Sequence, residues 1–92
     1  MNEKIMPSVE QLRKEILEKL NGNRATANYL GMCLAERYGF SENEMSQTLV
    51  GVFSGLEAEG LVNRTPDWKQ FCDGQWGASE EIKQRYIPYV MV

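Results

Sequence analysis

Cys72 stands three residues after Lys69 and directly before Asp73, the one place in the chain where a thiol neighbours a candidate activating cation. An ammonium would favour the thiolate, but the adjacent carboxylate opposes it, so the trio does not read as an activated nucleophile. Cys33 and Cys72 show no metal-ligand spacing, and histidine is absent. That removes both the imidazole general base and the usual metal cluster. Glu80-Glu81 and the pair Asp67 and Asp73 lack partners that would divide them into acid and base, and no Gly-rich phosphate loop is present. These residues describe a non-enzymatic protein with no cofactor and no metal. The cysteines read as two free buried thiols in a reducing compartment, with one disulfide as the alternative.

What chemistry remains is recognition. Residues 63–81, "NRTPDWKQFCDGQWGASEE", crowd Trp68, Phe71 and Trp76 among Arg64 and Lys69, with Lys83 and Arg85 close behind. Aromatics interleaved with cations suit a stacking platform for bases. They also suit the apolar underside of a small β-structure lying against helices, which is the simpler reading. The whole chain carries a net charge of −3, so any nucleic-acid affinity must come from a local patch.

The elements that must position these residues follow from periodicity. Ninety-two residues make one domain, and the 42% hydrophobic share is enough for a core. Ser8 is an N-cap candidate for a first helix over 9–20, with Val9, Leu12, Ile16 and Leu20 on its inner face. A second helix over about 25–38 places Leu30, Cys33, Leu34 and Tyr38 on one face and ends at Gly39. Its Gly31 costs about 1 kcal/mol relative to alanine, which marks a close packing contact. The third helix, over 42–59, opens with the capping box Ser41/Glu44 and carries the stripe Met45, Leu49, Val52, Phe53, Leu56. Past Gly60 the period shortens: "LVNRT" and "RYIPYVMV" read as strands, and Asp73-Gly74 as a two-residue hairpin turn between them. Alternatively, Ser79 caps a short helix with Ile82 and Tyr86 inward. The expected class is α+β, a three-helix bundle with a C-terminal β-hairpin.

"LAERYGFSENEMSQTLVGVFSGLEAEGLVNR", residues 34–64, resembles the helix-turn-helix and first wing strand of bacterial winged-helix regulators. The closest agreement is at the end, Leu56-Glu57-Ala58-Glu59-Gly60-Leu61-Val62-Asn63-Arg64. The interval before it is about one helical turn longer than in the commonest regulators. A fainter likeness, through the Pro7 to Leu12 opening, is to the N-terminal winged-helix domain of Mrr-type restriction enzymes, and no residues are carried over from it.

The resemblance implies a DNA-binding transcription regulator whose third helix enters the major groove while the wing touches the backbone. With the core stripe turned inward, the outward face holds Asn43, Gln47, Val50, Gly51, Ser54 and Ala58. Asn43 and Gln47, with Ser54, would read base edges, and Arg64, Lys69, Lys83 and Arg85 would meet phosphates. Against this, residues 42–60 contain four glutamates and no lysine or arginine, so the helix would repel the backbone. The alternative is a protein–protein module, an adaptor or inhibitor, binding through Val50, Gly51 and Ala58 or through Trp68 and Trp76. The apolar ending "YVMV" offers a strand edge for a homodimer. No leader or membrane-spanning run is visible, so the expected location is the cytoplasm.

Overall fold

The computed structural model describes residues 5–73 and 79–92, with backbone alone for 71–73. Helix α1 (Val9–Lys19) starts where the Ser8 hydroxyl accepts the Gln11 N–H at 3.1 Å. Leu12, Ile16 and Leu20 are buried, whereas Val9 is 61% exposed, so the inner stripe begins one turn later than its hydrophobicity suggests.

Helix α2 (Ala27–Tyr38) is capped by Thr26, whose hydroxyl accepts the Tyr29 N–H, and ends at Gly39 in the left-handed conformation (φ 78°). It buries Ala27, Leu30, Gly31, Leu34 and Ala35. Cys33 is exposed, which corrects its assignment to the core. The small residues Ala27, Gly31 and Ala35 recur every fourth position and are buried, with Gly31 against Ser46 of the third helix, and Cys33 falls off this face. At Gly31 the approach is extreme: a Cβ there would lie 2.9 Å from the Ser46 Cα and N.

Helix α3 (Glu42–Ala58) follows its pattern closely. Ser41 accepts the Glu44 N–H at 3.1 Å, and Met45, Leu49, Val52, Phe53 and Leu56 are all buried. Gly60 (φ 77°) then lets the chain leave the helix sharply and enter β1 (Val62–Arg64).

The two expected strands do pair, but the connection between them carries helical structure where a tight turn was expected. Residues 68–73 form α4 (Trp68–Asp73), so Asp73 ends a helix, and Gly74 lies outside the described residues. Pro66 accounts for much of this: its fixed φ and missing N–H stop the strand and suit the turn that feeds α4. Ser79 caps α5 (Glu80–Lys83), as the alternative reading had it, but Ile82 is 40% exposed and Tyr86 half-buried rather than inward. A 3-10 turn (Gln84–Tyr86) leads through Pro88 to β2, which is confined to Tyr89–Met91.

β1 and β2 pair antiparallel in the register Val62↔Met91, Asn63↔Val90, Arg64↔Tyr89. On its other side Tyr89 exchanges both backbone hydrogen bonds with Ala25, at 3.1 and 2.9 Å. β2 is therefore flanked on both sides at Tyr89, whereas from Val90 onward it remains an edge among the described residues. The Tyr89 ring stacks on Phe53 of α3, 4.5 Å between centroids and 10° between planes. Together these residues make a mixed helix-and-sheet domain with one core between α1, α2, α3 and the sheet. Among the described residues no helix is long and apolar enough to cross a membrane.

Candidate functional site

Two neighbouring surfaces collect the sequence-nominated residues, and α5 lies between them. The first is the outward face of α3. Asn43, Gln47, Gly51, Ser54 and Ala58 are exposed there, and Val50 is half-buried against the core. Gly51 and Gly55 have open space where a side chain would stand, so neither relieves crowding with a neighbouring helix. Gln47 is already engaged, donating from its amide to the Glu81 carboxylate of α5. Gln47, Val50, Glu81 and Gln84 together line a shallow hollow.

The second surface is a cleft of about 290 Å³ between β1, α4 and α5, lined by Arg64, Trp68, Lys69, Glu80, Lys83, Gln84 and Ile87. Three of the four nominated wing cations meet here. The Arg64 guanidinium lies 4.6 Å from the centre of the Trp68 ring, and Lys69 Nζ lies 5.7 Å from it. Trp68 itself is half-buried against the core. Arg85 does not join them: it is half-buried, and its enclosed Nε has no hydrogen-bond partner among the described residues. Trp76 lies outside the described residues, as do the side chains of Phe71 and Cys72.

Among the described residues, five cations are held by carboxylates of the same chain. Arg64 Nε reaches Glu57 at 3.0 Å; burial acts to lower its pKa, but Glu57 and the Tyr89 hydroxyl outweigh this and raise it. Lys83 faces Glu80 at 3.8 Å, and Arg24 faces Asp67 at 3.5 Å. The Thr65 hydroxyl and Arg24 hold the Asp67 carboxyl below its ordinary pKa. Arg13 of α1 grips Glu59 at the end of α3, raising the arginine and lowering the glutamate. Arg37 of α2 donates to both oxygens of Glu15, at 3.0 and 2.8 Å, and Glu15 is nearly buried. Gln11 adds a third bond to that carboxylate at 3.3 Å.

Sequence reasoning missed the ties of Arg13 and Arg37 because their partners lie far apart along the chain, 46 positions for Arg13 and Glu59 and 22 for Arg37 and Glu15. It also missed an open groove of about 480 Å³ between the end of α1, the start of α2 and Pro88, lined in part by Lys19, Arg24 and Tyr29. Among the described residues no cluster of His, Cys, Asp or Glu could hold a metal ion. No protein-family model, curated protein or solved structure matches the chain.

Proposed function

We propose that this chain is a non-enzymatic binding domain of winged-helix type whose partner is another protein, received on the outward face of α3. The winged-helix reading is supported by the order α1, Ala25, α2, α3, β1, β2 and by a sheet in which β2 lies between Ala25 and β1. One observation carries the choice of partner. The exposed positions in the second half of α3 are Gly51, Ser54, Gly55 and Ala58, and the helix contains no lysine or arginine. Glu42 and Glu44 stand at its start and Glu81 beside Gln47, where a phosphate backbone would meet repulsion. Small uncharged residues instead let another backbone or helix approach closely.

The test compares the wild type with Gly51→Arg, a substitution for which there is open space, so the fold should be retained. Partners captured from the native host by the wild type should be lost with the variant. An unchanged set of partners removes α3 from consideration.

A second reading, a DNA-binding regulator approaching through the wing region, is favoured by the convergence of Arg64, Lys69 and Lys83 on one cleft. It requires binding to mixed duplex DNA at low salt. Lys69→Ala should then weaken binding and reduce the salt dependence by about one unit. Absence of binding at tens of micromolar protein ends this reading.

A further inference from the structure

The cleft between β1, α4 and α5 has a property that the α3 face does not share. Three cations from three separate elements, Arg64, Lys69 and Lys83, border one concavity in a chain of net charge −3. Among the described residues of the lining Glu80 is the one carboxylate, with its side chain 89% exposed and its oxygen 3.8 Å from the Lys83 ammonium. Arg64 is fixed from Glu57 and stacked on Trp68, so its guanidinium is positioned in advance. Among the described residues, Arg64, Lys69 and Lys83 outnumber Glu57 and Glu80. Trp68 and Ile87 add apolar surface to the same walls.

We infer that this cleft binds a small phosphate-bearing molecule, with the phosphate held among Arg64, Lys69 and Lys83 and the remainder against Trp68 and Ile87. A phosphate offers several acceptor oxygens to donors arriving from different directions, which a single carboxylate fork does not. Size separates a small ligand from a polymer. A compact anion inside the cleft meets the cations at short range. An extended polyanion crossing it also passes Glu57, Glu80 and Glu81 and is repelled by them. The cleft volume of about 290 Å³ lies at the lower end of small-molecule sites. This site does not depend on the α3 reading, and either can fail without the other.

The experiment is a titration of the full chain at low ionic strength, followed by the NMR shift of the Trp68 indole N–H, with three probes: inorganic pyrophosphate, adenosine monophosphate and a short mixed duplex DNA. Saturable binding of either small anion is expected, with a Kd of about 1 mM or tighter. Lys69→Gln should weaken it about threefold and Lys69→Gln/Lys83→Gln about tenfold or more, as charge-assisted contacts are lost. Lys14→Gln, an exposed α1 position outside the cleft, should leave it unchanged. Three results would overturn the proposal: no saturable shift with either small anion by about 10 mM, equal binding by the double cleft variant, or binding of the duplex alone.

Discussion

Gly31 and Gly55 are the same residue type in helix interiors and have opposite roles. At Gly31 an added methyl would run into the backbone of Ser46, so α2 and α3 are as close as they are because this position has no side chain. At Gly55 the same methyl would meet nothing. Gly31→Ala is expected to destabilise by about 1–3 kcal/mol despite its better helix propensity, as overpacking does. Gly55→Ala should stabilise by roughly 0.5–1 kcal/mol. Urea melts of the two variants check both signs. The closeness at Gly31 was legible in the sequence, because a helix-breaking residue inside a periodic run needs a reason. The exposure of Cys33 was not, since which face of α2 is inward depends on the small residues that α3 selects. The Phe53–Tyr89 stack joins residues remote in sequence and left no local signal.

Whole elements were legible where two independent signals agreed. α3 had a stripe, a capping box and a closing glycine: the stripe is buried, Gly60 ends the helix, and of the box the Ser41 hydroxyl accepts the Glu44 N–H. The stretch after β1 had conflicting signals: an Asp-Gly pair suggested a hairpin, while "DWKQFCD" contains no β-branched residue to favour a strand. The outcome there is α4, and strand pairing waits until Tyr89. Between elements, the tie of α2 to α1 rests on Arg37 and the nearly buried Glu15. Among the described residues, Arg37→Ala leaves that carboxylate with the Gln11 amide as a donor. The expected loss is about 1–2 kcal/mol, below the cost of breaking a fully buried pair because the Arg37 side chain is 61% exposed. Arg37→Lys should recover part of it, measured by the same denaturant melts.

At the scale of the molecule, charge decides both stability and what can approach. Glu59 and Asp67 are both held below their ordinary values of 4.5 and 3.8 by their partners, Arg13 for the first and Thr65 with Arg24 for the second. A lowered carboxylate pKa contributes stability that is fully present above the ordinary value and is lost as pH falls through the lowered one. The denaturant midpoint should therefore stay level from about pH 7 to 5 and fall below about pH 4. Glu59→Gln should make that acid fall shallower, and added salt should shrink the difference because both groups are exposed. The same internal pairing explains why the candidate site was only partly legible. The sequence reveals which residues are basic, but it does not reveal that Glu57, Asp67, Glu15 and Glu59 already engage four of the arginines.

Tyr89 joins three parts of the chain at once: its backbone bonds Ala25, its strand pairs with β1, and its ring lies on Phe53. A residue held in this way cannot come loose alone. To free its amide, the segment before α2, the strand after α3 and the centre of the core must all give way together. The small sheet is thus no detachable flap on a helical body. Its opening is the opening of the whole domain, so a partner grasping this sheet would be holding the entire fold in its closed form.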